Sequence, residues 1–284
     1  MSLFILSPAG AAGPFRKKWR TFPHSTLLKY LIEDAVNNGN TYFLGIVLHV
    51  LADSYSHRGF SGIISRRNRI KSLRVKKESV RGMHERFINT YMMHGDGVIS
   101  RIFGRVLPSY SHTGAGIIPD ISSAEWEYKY DTATSFIGRY RPGGPVSNPD
   151  RYRAAFEKIQ QILERFAVKH PGICGERPAF RDLGSFHRLL VKPRGLRTAV
   201  EEWKRFIEEH HLMEAEDPSM HYDPHTWLRE AFQDYNKKKY SRRVITNAAA
   251  IPDFIHSDWY AFYRAAGEYR DRQHRLAVFH GIYR

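Results

Sequence analysis

Three residues capable of ligand or acid–base chemistry follow one another at helical spacing in the stretch LGIVLHVLADSYSHRGFSG, Leu44 to Gly62. They are His49, Asp53 and His57, at i, i+4 and i+8. Each step of four residues advances about 40° around a helix axis, so all three project on one side. Ile46, Val47, Leu48, Val50, Leu51 and Ala52 lie among them, apolar almost all round, which predicts a buried helix. A carboxylate and two imidazoles are expensive in such surroundings unless paired or bound to metal. Imidazole with carboxylate suits zinc or another divalent metal. Gly59 and Gly62 end the helix just past His57. A purely structural reading also covers these residues: an Asp53–His57 ion pair fixing a core helix, with His49 bonded to backbone.

A second candidate is SHTGAGIIPD, Ser111 to Asp120. Read functionally, it is a loop that brings the imidazole of His112 and the carboxylate of Asp120 over the helix carrying Asp53. Read structurally, it is a surface turn, with Gly114 and Gly116 supplying positive φ and Pro119 a stop. Other chemistry-bearing residues are less organised. His84-Glu85 begins like a zincin helix, but position 88 is Ile. His210 and Glu214 share a face crowded with further Glu and His, the mark of a wet surface. His94 and Asp96 flank Gly95 as in a turn, HYDPH (221–225) reads as a helix-capping region, and Cys174 has no nucleophile signature around it. No Walker loop, GxGxxG fingerprint or GxSxG elbow is present.

The Leu44–Gly62 stretch resembles the helix of the all-α zinc-dependent phospholipase C and single-strand nuclease superfamily, in which a His-x3-Asp pair precedes another His. It is more similar still to an uncharacterised bacterial family with the signature G-I-x-L-H-x-x-A-D-x-x-x-H-x-G-F-x-G and a Gly-rich "GH…PD" loop, to which SHTGAGIIPD is similar. The two motifs span about 30 residues of the chain. The resemblance implies that His49 binds one metal, that Asp53 bridges two, and that His57 binds another. It matches His112 and Asp120 to the loop motif, and both join His49, Asp53 and His57 as expected metal ligands of a di- or trinuclear site, with Asp53 and Asp120 the expected catalytic carboxylates. The superfamily also takes ligands from a segment before this helix, whereas no His precedes His24 here. We therefore expect a member shortened at its N-terminus.

These residues need a scaffold, and the dominant period along the chain is helical. Segments 26–36 and 41–57 read as helices separated by Asn37-Asn38-Gly39-Asn40. Asn148 reads as an N-cap with Pro149 at the first helical position, opening a helix to His170 with Tyr152, Phe156, Ile159, Leu163 and Phe166 on one stripe. Further amphipathic helices are predicted from Leu196 to His210, from Pro224 to Tyr235 and from Ser257 onward. No convincing period-2 run stands out. The expectation is an all-α protein, a multi-helix orthogonal bundle around a buried metal-ligand helix. It forms a single domain over 1–284, with 140–149 as the one loop-rich junction.

The chain has 284 residues, with 44 Lys and Arg against 29 Asp and Glu, a net charge of +15. Such a field favours anionic partners. The stretch Arg66–Arg81 alone holds eight basic residues and one Glu, either as a solvated helix face or as an anion-facing patch. A hydrophobic content of 42% excludes whole-chain disorder and low-complexity arrays. One cysteine excludes an internal disulfide or a CxxC knuckle. No apolar run reaches the roughly 20 residues of a membrane-spanning helix. The opening MSLFILSPAGAAG lacks a basic region, so a cytoplasmic location is expected. The expected function is metal-dependent hydrolysis of a phosphoester, phospholipid or nucleic acid. The alternative is a non-catalytic protein that binds nucleic acid or anionic membrane through 66–81 and 237–243, with a structural His/Asp cluster.

Overall fold

A computed structural model describes residues 20–60, 68–76, 80–82, 115–130, 144–174, 180–192, 196–213, 223, 225–232 and 250–281. Its first layer is helical. α1 (Thr26–Asn38) starts at Ser25, whose hydroxyl accepts the Leu28 N–H, and stops at Gly39, which takes φ 73°. α2 (Thr41–Ser56) follows at once, because Asn40 caps it through the N–H groups of Tyr42 and Phe43. Leu27, Leu28 and Leu31 of α1 meet Phe43, Val47, Val50 and Leu51 of α2. Ile162 and Phe166 from α3 (Asn148–Lys169) and Tyr269 from α7 (Asp258–Phe279) complete this core. α4 (Leu183–Val191), α5 (Leu196–Glu209) and the short α6 (Thr226–Ala231) lie outside it; Phe186, Leu190 and Phe206 of α4 and α5 form a small aromatic core with Tyr152 and Phe156.

The expectation of an all-α protein is corrected by a three-stranded antiparallel sheet, β1 (Ile70–Val75), β2 (Glu125–Tyr130) and β3 (Gly144–Ser147), in that order. β2 is EWEYKY. Trp126, Tyr128 and Tyr130 are buried on one face, while Glu125, Glu127 and Lys129 take the other side of the pleat. β1 pairs with it so that Val75 faces Trp126 and Leu73 faces Tyr128. The basic segment 70–75 is therefore an edge strand rather than a helix face, with Lys71, Ser72 and Arg74 exposed. Arg66, Arg67 and 77–79 lie outside the described residues, as does 237–243. Phe60, at the end of the α2 turn, stacks on Tyr128 at 5.4 Å, and that ring stacks on Trp126 at 4.8 Å. The sheet is thereby fixed beneath the C-terminal end of α2.

Asn148 joins the layers. The cap of α3 is Ser147, whose hydroxyl accepts the Asp150 N–H, so the sequence-based assignment of the cap to Asn148 is off by one. Asn148 is instead fully buried. Its amide nitrogen donates to the Ile118 carbonyl at 2.7 Å and the Ile121 carbonyl at 2.8 Å, and its oxygen accepts Trp126 Nε1–H at 2.9 Å. Every polar atom of the side chain is used, as burial demands. Asn148→Leu keeps the volume but strands those three groups, each worth about 1–3 kcal/mol. We expect the urea midpoint to fall by the equivalent of about 3 kcal/mol with an unchanged slope. A loss inside the roughly 0.5 kcal/mol range of surface substitutions contradicts the clamp.

Candidate functional site

The C-terminal end of α2 supplies the site. His57 is the C-cap, its backbone N–H bonded to the Asp53 carbonyl at 2.8 Å. Gly59, at φ 95°, then turns the chain back, a conformation L side chains rarely adopt. Gly59 and Phe60 exchange backbone bonds with Thr21 at 3.0 and 2.8 Å, and Tyr130 donates its hydroxyl to the Gly59 carbonyl at 2.8 Å. Arg20, buried over the Tyr130 ring, donates to the same carbonyl. The turn after His57 is thus held from both the N-terminal segment and the sheet.

Opposite it stands the 3-10 turn Ile118–Asp120, anchored by Asn148 and by Tyr152, whose hydroxyl donates to the Pro119 carbonyl at 3.0 Å. This places Asp120 Oδ1 2.9 Å from His57 Nε2. The imidazole is 11% exposed and the carboxylate 51%, so the pair joins a nearly buried ring to a half-exposed carboxylate at the surface. One turn earlier on α2, Asp53 is 27% exposed, and its Oδ2 lies 3.5 Å from His49 Nε2. The ion pair that the structural reading of the sequence assigned to Asp53 and His57 is therefore divided: His57 pairs with Asp120, and Asp53 with His49.

Burial pushes the Asp53 carboxyl above the ordinary carboxylate value. The imidazoles of His57 and His49 pull it down, while the negative charge of Asp120 adds to the rise. Tyr152 is also raised, first by burial and then by Asp120 and Asp53, so its hydroxyl remains a donor rather than a base. Arg151, beside it, donates to the Ser56 carbonyl at 2.9 Å and meets the negative end of α2.

Of the residues singled out in the sequence, His57 and Asp120 are bonded to each other, and Asp53, paired with His49, lies within electrostatic reach of both. His49 is on the rim, its side chain 61% exposed, so the helix is not apolar on that side. His112 lies outside the described residues. Among the described residues, no group of three His, Cys, Asp or Glu stands ready to hold a metal ion. Asn148, Arg151 and Tyr152 were not foreseen as site residues. Their signal was the spacing N-P-D-R-Y, which puts positions 148, 151 and 152 on one face of the first turns of α3.

Residues 7–281 match the model of a family of unknown function, DUF6765. The chain belongs to that family. No curated protein and no solved structure matches it. The family match spans both layers and every residue of the site just described. No described helix is long and apolar enough to cross a membrane.

The raised carboxyl fixes a sign. Between the ordinary carboxylate value and the raised one, the folded chain binds more protons at Asp53 than the unfolded chain does, so stability falls as pH rises through that window. Asp53→Asn removes the ionisation. Without divalent cation at neutral pH, we expect this variant to melt above wild type, the gap closing below the ordinary carboxylate range. Scanning calorimetry across pH checks it; a variant melting below wild type at neutral pH shows Asp53 to be a stabilising charge.

Proposed function

We propose that Asp53, His57 and Asp120 form a divalent-cation centre in a hydrolase acting on phosphoesters. One observation carries this reading: Asp120 bonds the His57 imidazole at the C-terminal end of α2, and the charges of both act on Asp53, a carboxylate that burial disfavours in its charged form. A bound cation would offset the cost of burying the Asp53 charge. Two carboxylates and an imidazole are a donor set suited to zinc or a similar ion. The likeness of the α2 sequence to the zinc-dependent phospholipase C and nuclease superfamily points the same way.

When bound, such an ion supplies Lewis acidity and a water of lowered pKa. The chain's own residues do the rest. Asp53 and Asp120 would supply the negative charge that retains it, Asp120 from a turn fixed by Asn148. His57 would offer Nε2, the atom that bonds Asp120 here. Tyr152, kept protonated, holds the Asp120 turn through Pro119 rather than taking a proton. The excess of basic residues draws a phosphate-bearing substrate, phospholipid or nucleic acid, toward the site. With a single cysteine in the sequence, we place this chemistry in the cytoplasm.

A second reading rests on the direct His57–Asp120 hydrogen bond, which satisfies both groups without an ion. In it the pair is a structural link, and the protein binds nucleic acid or anionic lipid through its basic segments. One experiment separates the two. Wild type, Asp53→Asn and Asp120→Asn are loaded with zinc, manganese or magnesium, measured for bound metal, and assayed on bis(p-nitrophenyl) phosphate, phosphatidylcholine and single-stranded DNA. The cation reading expects wild type to hold metal and turn over at least one substrate. It expects each variant to lose more than the roughly 10–100-fold in affinity that an outer-shell change costs. Equal metal in all three, or metal without turnover across the panel, supports the binding reading, which further expects affinity for DNA or vesicles to fall steeply with salt.

A further inference from the structure

At the opposite end of α2 from His57 is a cleft of about 510 Å³, bounded by the start of α2 and the first three turns of α7. That volume falls in the range of small-molecule sites, roughly 300–1,000 Å³. Tyr42, Tyr260 and Ile255 line it together with Asn40, Arg264 and Glu268.

Each carboxylate in and beside this cleft, and the Asn40 amide oxygen, already accepts at least one hydrogen bond. Asn40 Oδ1 takes the N–H groups of Tyr42 and Phe43 at 3.0 and 3.1 Å. Asp258 accepts the Tyr42 hydroxyl, a bond that pushes that phenol up to about 12 and keeps it protonated. Glu230 accepts the Asp258 backbone N–H at 2.8 Å. Glu268 is held at 2.6 Å by Arg272, which also pairs with Asp34 at 2.9 Å.

The donors are different. Arg264, one helical turn from Glu268, makes no ion pair with it and bonds to none of the described residues. The hydroxyl of Tyr260 and the amide nitrogen of Asn40 are likewise without a partner among them. Without a protein partner among the described residues are the exposed Arg264 guanidinium, the Tyr260 hydroxyl and the Asn40 side-chain NH2, three groups able to donate, beside aromatic and aliphatic walls.

We propose that this cleft binds a small organic molecule ending in a carboxylate or phosphate, its oxyanion on Arg264 and its apolar body against Tyr260, Tyr42 and Ile255. The planar guanidinium can meet either oxyanion through two parallel N–H bonds. The Asp258 and Glu230 carboxylates near Tyr42 repel an anion there, which orients the ligand with its charged end toward Arg264. Nothing in this depends on the cation centre.

The test is titration calorimetry with phenyl phosphate, benzoate and inorganic phosphate, in chelator so that the Asp53–Asp120 centre stays metal-free. Wild type is compared with Arg264→Gln and with Arg270→Gln, an exposed α7 cation outside the cleft that pairs with Asp271. We expect phenyl phosphate or benzoate to bind at millimolar concentration or below and inorganic phosphate to bind more weakly. Arg264→Gln should weaken the organic ligand roughly tenfold or more, and Arg270→Gln by less than roughly twofold. No heat with either organic compound, equal affinity for phenyl and inorganic phosphate, or equal losses in the two variants overturns the proposal.

Discussion

A buried side-chain amide needs partners for both its donors and for its oxygen, and that constraint organises this molecule around Asn148. Its donors fix the carbonyls on either side of Asp120, and its acceptor fixes the central indole of the sheet. Its own backbone N–H bonds to the Ala124 carbonyl at 2.9 Å. The Asp120 turn, β2 and the first turn of α3 are consequently one unit. Because Phe60 stacks on that sheet immediately after the α2 turn, the same unit sets where His57 meets Asp120. Remove the amide and the Asp120 turn keeps only the Tyr152–Pro119 bond among its side-chain anchors from α3.

The electrostatics of the site follow from this placement. Two carboxylates, Asp53 and Asp120, are brought toward one buried imidazole by elements that are rigid for other reasons, namely the hydrophobic core under α2 and the clamp at Asn148. The cost falls on Asp53, which is the more buried and loses hydration. His49 offsets part of it from the rim at 3.5 Å, a separation and exposure at which such a pair contributes little. On the cation reading proposed above, a bound ion would restore the charged form of Asp53 that burial disfavours.

Much of this was legible in the sequence, for physical reasons that differ from residue to residue. The i, i+4, i+8 spacing of His49, Asp53 and His57 placed them on one side of a helix because helical geometry leaves no other outcome. SHTGAGIIPD suggested a carboxylate over that helix, and Asp120 is there. The sheet was missed although EWEYKY alternates cleanly. The run is only six residues, and its aromatic positions fit a helical stripe's composition as well as a pleat's. Asn148 was read as a cap because Asn-Pro-Asp is a capping pattern. Its real role depends on carbonyls 27 and 30 residues away, which no local window contains. Tyr152 was assigned to a core stripe, and only tertiary structure shows its hydroxyl reaching Pro119.

The central claim is that Asp53, His57 and Asp120 share a divalent cation. Anomalous diffraction from crystals grown with manganese or zinc, with data collected at the absorption edge of that metal, addresses it without reference to any substrate. The account predicts an anomalous peak at coordination distance from carboxylate oxygens of Asp53 and Asp120 and from His57 Nε2, with the His57–Asp120 hydrogen bond opened to admit it. A crystal in which that bond is intact at 2.9 Å, with the anomalous signal absent there, would contradict it.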